Sequence, residues 1–199
     1  MHNAVYLITA KASGEQILID AADDIDALES LLREGAADTN RPATLRLIVT
    51  THAHWDHTRA IAALAARTGA KVAIGRDDAQ QLLEERDISA DVLLDHEDRV
   101  EVEGAAFDVI ALRGHTPGSV ALATTEGHPF LLFTGDSLFP GGLGNTGNDP
   151  ERFAQLFDDV TSRLFDRFGD ETRVLPGHGE ATTLGAERPA LPAWRERGW

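Results

Sequence analysis

The chain contains no cysteine. Disulfide bonds, thiolate catalysis and cysteine-held iron–sulfur clusters are therefore excluded. Any metal must be held by histidine and carboxylate, a donor set that suits zinc, iron or manganese. Basic residues are scarce: 18 Lys and Arg stand against 33 Asp and Glu, for a formal net charge of −15. A surface this acidic repels phosphate backbones and anionic lipid, so neither nucleic acid nor a membrane surface is an expected partner. Long apolar runs are missing too, and stretches such as Pro129–Phe133 are far too short to span a bilayer. The opening residues, MHNAVYLITAKASGE, lack the basic start and apolar centre of a secretory signal. A soluble cytoplasmic protein is the expectation. No repeat, linker or low-complexity tract divides the chain. With 199 residues, 42% hydrophobic and 26% charged, it reads as one globular domain over 1–199.

What is present is an alternation of strand-like and helix-like segments. Val5–Thr9 and Gln16–Asp20 read as an opening hairpin turned at Ser13-Gly14. Asp24–Glu34 places Ile25, Leu28, Leu31 and Leu32 on one helical face, with Gly35 beyond its end. Leu45–Thr50 is a buried strand, Asp56–Arg67 a helix, Val72–Ile74 a short strand and Asp77–Glu85 a helix. Arg99–Val102, Phe107–Leu112, Val120–Thr124 and Phe130–Thr134 are strand-like. Glu151–Phe168 is the longest helix, and Arg173–Leu175 a last strand. Strand-rich layers flanked by helices fit a four-layer αββα sandwich among the α/β folds. Trp194, in the proline-broken tail Arg188–Trp199, is expected to pack that tail onto the domain.

The chemistry concentrates in Thr50-Thr51-His52-Ala53-His54-Trp55-Asp56-His57. This segment leaves a buried strand and enters a helix, the kind of turn where α/β proteins place their sites. His52 and His54 alternate, so both can point one way from an extended backbone. Asp56 and His57, at the helix entry, can face a second point nearby. Three further metal-competent residues follow strands elsewhere: His115 in Gly114-His115-Thr116-Pro117-Gly118, Asp136 in Thr134-Gly135-Asp136-Ser137, and His178 in Pro176-Gly177-His178-Gly179. Each is preceded by glycine, which lets backbone come close to a ligand. By contrast His2, at the terminus, His96, in an acidic turn, and His128, at a hairpin tip, read as surface or hydrogen-bonded histidines. The glycine- and asparagine-rich stretch Pro140–Pro150 follows Asp136 directly and reads as a loop that touches substrate.

The order His52, His54, Asp56, His57, His115, Asp136, His178 resembles the signature of the metallo-β-lactamase-fold hydrolase superfamily. The resemblance runs from Asn3-Ala4-Val5-Tyr6-Leu7-Ile8 to Pro176-Gly177-His178-Gly179. The wording around His115 and Asp136 is similar to the hydroxyacylglutathione hydrolase (glyoxalase II) branch. It implies the αββα sandwich and two divalent metal ions, zinc first, with iron or manganese as alternatives. His52, His54 and His115 would hold the first ion, and Asp56, His57 and His178 the second. Asp136 would bridge them, and Asp20 would steady a ligand from outside. Asp56 and Asp136 are the expected catalytic carboxylates. The implied reaction is cleavage of a small-molecule thioester or ester by a metal-bound hydroxide. A persulfide dioxygenase using one iron on His52, His115 and Asp136, and a lactonase, are alternatives on the same fold. Two departures concern glutathione. Leu143 and Asn145 stand where that branch has cysteine and a cation, and the chain ends at Trp199, without the branch's C-terminal helical domain.

Overall fold

The computed structural model describes residues 3–198, so His2 and Trp199 lie outside the described residues. Its strands form two main sheets. The first runs β1 (Tyr6–Thr9), β2 (Glu15–Ile19), β3 (Thr44–Thr50), β4 (Lys71–Gly75) and β5 (Val92–Leu94), neighbours in that order. β1 and β2 form the expected antiparallel hairpin, and β2, β3, β4 and β5 are parallel. The second sheet has the order β13 (Thr182–Thr183), β12 (Arg173–Pro176), β9 (Leu131–Gly135), β8 (Val120–Thr124), β7 (Ala105–Ala111) and β6 (Arg99–Val102). Its one parallel pair is β12 with β9.

Period-two alternation divides these strands between two cores each. On β2, Ile17 and Ile19 point between the sheets while Leu18 points to the helices outside. On β7, Val109 faces the other sheet and Ile110 the opposite way. Three apolar clusters result. The middle one, with Val49, Val109, Leu122 and Phe133, glues sheet to sheet. One outer cluster packs α1 (Ile25–Ala36), α3 (Ile61–Thr68) and α4 (Ala79–Arg86) onto the first sheet. The other packs α5 (Pro150–Val160), α6 (Leu184–Glu187) and α7 (Leu191–Arg197) onto the second. Four layers in the order αββα follow directly. Trp194 of α7 is buried in that last cluster against the α5 layer, as its place in the sequence suggested.

Several helices differ from their sequence reading: α1 runs through Gly35 to Ala36 instead of ending before the glycine. The helix expected over Asp56–Arg67 is broken into α2 (Trp55–Thr58) and α3. Ala60 N–H donates to Ala21 O at 3.0 Å, away from its own helix, which interrupts the ladder there. The helix expected to reach Phe168 is α-helical only to Val160 and then passes through a wider π turn over Thr161–Phe165. The hydroxyls of Thr161 and Ser162 bond back to Phe157 O and Asp158 O, and Asp166 N–H reaches five residues back to Thr161 O. No helix among the described residues is long and apolar enough to cross a membrane.

Candidate metal centre

All seven candidate ligands gather at one end of the sandwich. His52 and His54 leave the C-terminal end of β3, and Asp56 and His57 lie on the short α2 that follows. His115 is in the β7–β8 connection, Asp136 directly after β9, and His178 after β12. The site is therefore built from both sheets, outside the ends of their parallel strands, where α/β architectures leave a crevice. His96 and His128 take no part in it: His96 lies in the turn between β5 and β6, and His128 is exposed beside Glu171.

The donor atoms fall into three overlapping groups, each within 4.8 Å: His52, His54 and His115; Asp56, His57 and His178; and His52, His57 and Asp136. In the first trio the ring centroids form a near-equilateral triangle of 4.6, 4.7 and 4.8 Å. In the second, His178 Nε2 is 3.1 Å from Asp56 Oδ2 and 3.2 Å from His57 Nε2. Ligands about 2.0–2.1 Å from a tetrahedral zinc sit roughly 3.3 Å from each other, so these spacings suit a shared cation. Asp136 spans the two trios. Its Oδ1 is 3.5 Å from His57 Nε2, and its Oδ2 is 3.5 Å from His178 Nε2 and 3.8 Å from His115 Nε2.

A second test of fit comes from unpaired atoms. His52 Nε2, His115 Nε2 and Asp136 Oδ1 are buried without a hydrogen-bond partner in the protein. Leaving a buried polar atom unpaired costs about 1–3 kcal/mol, so three such atoms within one cluster call for a partner from outside the protein. The opposite ring nitrogens show which way the imidazoles are set. His115 Nδ1 donates to Asn145 O at 2.8 Å, and His57 Nδ1 to Asp20 Oδ2 at 2.9 Å. The Thr51 hydroxyl donates to Asp20 Oδ2 at 2.8 Å, so its oxygen is left to accept from His52 Nδ1 at 3.1 Å. All three rings thus turn Nε2 inward, the atom each would offer to a metal.

Electrostatics agrees. Burial, reinforced by the neighbouring His57 and His115 rings, holds His52 well below the usual histidine range, and burial likewise lowers His115. Both rings are therefore neutral at pH 7. Burial opposes charge on His57 as well, but the Asp20 and Asp136 carboxylates overcome it and raise that ring to about 10. The surroundings of His57 favour positive charge. For Asp56 burial pushes upward, yet the Asn3 amide and the His57 charge prevail and lower it.

Asp20 lies behind these histidines, against His57. Its backbone is left-handed (φ 60°), a region Asp tolerates better than most residues. From there its carboxylate accepts from Thr51 N, Thr51 Oγ1 and His57 Nδ1. The structure adds two residues that sequence reasoning missed. Asn3 Nδ2 donates to Asp56 O and Oδ2 at 3.0 and 3.2 Å. Arg152, from α5, donates to the carbonyls of Gly114 and His115. Both act across 37 residues of sequence or more, so no local spacing could have flagged them. The stretch after Asp136 is also more ordered than a loop. Leu138–Phe139 (β10) and Gly142–Leu143 (β11) pair as a small hairpin, and Gly144 then presses on Asp136 so closely that a Cβ would lie 1.8 Å from its carbonyl oxygen.

Several known proteins are similar to this chain. A hydroxyacylglutathione hydrolase from Chromohalobacter salexigens is 35% identical over 88% of this chain. One from Anaeromyxobacter dehalogenans is 37% identical over 90%. This chain spans 62% of the length of each of those two relatives. Among solved structures, ETHE1 from Myxococcus xanthus superposes with a TM-score of 0.79 at 31% identity, covering 98% of this chain and 80% of that one. TTHA1623 in a di-iron-bound form gives 0.72 at 31% identity, covering 94% and 92%. The family model described as metallo-beta-lactamase superfamily matches residues 2–178, from just before the first strand to the last histidine of the cluster. The chain belongs to the metallo-beta-lactamase superfamily.

Proposed function

We propose that the chain is a metal-dependent hydrolase that cleaves a thioester or ester of a small molecule in the cytoplasm. The observation that carries this reading is the pair of donor trios with Asp136 reaching both. His52, His54 and His115 would hold one cation and Asp56, His57 and His178 the other, with Asp136 between them. Zinc is the first choice for such donors, and iron and manganese suit them as well. When bound, such a pair supplies Lewis acidity and lowers the pKa of water to roughly 7, making hydroxide available at neutral pH.

The protein's own part is to hold, orient and wall. His57 is locked by Asp20 and His115 by Asn145 O, so neither ring has to reorganise. Asp56 is steadied by Asn3, and its lowered pKa keeps it ionised as an acceptor that orients water. The β10–β11 hairpin and its continuation border a cleft of about 470 Å³ whose lining includes Phe139, Leu143, Asn145 and Arg197. This cleft is proposed to receive the leaving group. The relatives named hydroxyacylglutathione hydrolase support a thioester first. With Asn145 as a neutral side chain in that wall, a carrier other than glutathione fits the cleft equally well.

A second reading has one observation of its own. The three unpaired buried atoms belong to His52, His115 and Asp136, the set that the resemblance assigns to a single iron in a persulfide dioxygenase. The deciding assay is hydrolysis of S-lactoylglutathione by metal-replete protein, beside a panel of other thioesters and lactones. Turnover within the panel supports the hydrolase and identifies its carrier. No hydrolysis, with oxygen uptake by iron-loaded protein in the presence of a persulfide, replaces it with the dioxygenase.

A further inference from the structure

We propose that Asp78, which belongs to neither donor trio, is a positioning residue that sets the spacing of the first trio; the inference rests on the metal-centre reading above. Asp78 ends the short 3-10 turn Arg76–Asp78 after β4 and is completely buried. Its Oδ2 accepts from Ala53 N at 2.9 Å and from Thr116 Oγ1 at 2.7 Å, and its Oδ1 accepts from Gly118 N at 2.7 Å. Ala53 lies between His52 and His54, and Thr116 follows His115. One carboxylate is thus bonded to the sequence neighbour of every imidazole in the trio.

The two segments it joins hang from different sheets. His52 and His54 follow β3, whereas His115 precedes β8. The gap between the sheets at this end decides whether the three rings converge. Backbone fit there is close: a Cβ on Gly118 would lie 2.3 Å from Asp78 N, and one on Gly75 would lie 1.9 Å from Gly118 O. Only glycine lets the segments meet, and Asp78 then fastens them. Three donors aimed at one buried carboxylate also cannot be satisfied by its amide. If the amide oxygen keeps Ala53 N–H and Thr116 Oγ1–H, its NH₂ confronts Gly118 N–H, donor against donor.

Zn²⁺ titration of metal-free protein against a chromophoric chelator tests this. In Asp78→Asn, one of the two zinc equivalents should weaken by roughly 10–100-fold, the range for losing an outer partner of a ligand, while the other keeps its affinity. Thr116→Val, which removes a single donor, should weaken the same equivalent by less; it also keeps the test open should the amide variant fail to fold. With Co²⁺ in place of zinc, the visible spectrum of that equivalent should change shape. Leu28→Ala, in the outer helical layer, controls for general loss of stability and should leave both affinities at the parent values. Parent affinity for both equivalents in Asp78→Asn or Thr116→Val would overturn the proposal, as would equal weakening in Leu28→Ala. Parent protein that takes up no zinc would overturn the metal-centre reading, and this proposal with it.

Discussion

A single methyl group placed at Gly177 should separate the function of this centre from its fold. Gly177 precedes His178, and its backbone has an ordinary conformation that alanine also adopts. Space is what forbids the change. A Cβ there would lie 2.4 Å from Asp136 Oδ1 and 2.7 Å from His57 Cε1. Ordinary contact begins at 3.4 Å, so the first atom must retreat by 1.0 Å and the second by 0.7 Å, or the backbone at Gly177 must shift. His57 cannot retreat cheaply, because it is fully buried and tied to Asp20. Asp136 can, because its carboxylate is bonded to nothing in the protein through Oδ1. The strain should therefore fall first on the Asp136 carboxylate, with the His57 contact relieved by a shift of the Gly177 backbone. A 1 Å misplacement of a catalytic group can reduce the rate by ~100-fold. Overpacking of this kind costs stability only about 1–3 kcal/mol, or roughly 2–10 °C in Tm at this chain length. Metal content, thioester turnover and a thermal melt are measured together on Gly177→Ala. Gly179→Ala is the contrast. There φ is 74° and nothing lies within 4 Å, so it should show backbone strain without displaced ligands. Parent metal content and parent turnover in Gly177→Ala would refute the reasoning.

Asp136→Ala should lose metal occupancy and most turnover; full content with full turnover would remove Asp136 from the bridging role. Trp194→Ala should cost about 3–5 kcal/mol, lowering Tm by roughly 10 °C, with KM unchanged. A raised KM with an unchanged melt would instead make α7 a wall of the substrate cleft. Tyr6 is the chain's single tyrosine, so phenolate absorbance reads it alone. Burial and the nearby Asp20 charge raise it to about 12. Folded protein should therefore titrate well above denaturant-unfolded protein, which ionises near ~10. The neutral phenol's contribution to stability is complete below pH ~10 and is lost as pH rises through about 12. Coincident titration curves for the two states would contradict this.

The clustering of the candidate ligands was legible because it is compressed in sequence. Four donors fall between His52 and His57, and the other three each follow a glycine at a strand end. Layering was legible from the order of strand-like and helix-like segments, whereas the split of Ile17 and Ile19 from Leu18 between two cores was not, because all three are apolar. What escaped is set by contacts distant in sequence. The break before α3 depends on Ala21 O, and the roles of Asn3, Asp78 and Arg152 depend on partners brought close only by folding. β5, β10, β11 and β13 were missed for another reason: at two or three residues each, they are too short to show a period.

One further consequence follows from the contact between Asn3 and the turn that carries His178. Asn3 forms a β-bridge with His178, and Ala4 N–H donates to Gly177 O at 2.8 Å. The second trio is thus finished by a segment from the far end of the match, clasped by residues synthesised long before it. On the ribosome the two trios mature at different times. The donors of the first are all available once His115 has emerged, whereas the second must wait for His178 to return to the opening strand. Assembly of the centre then has a built-in order, and a nascent chain can present three imidazoles well before it can present both trios.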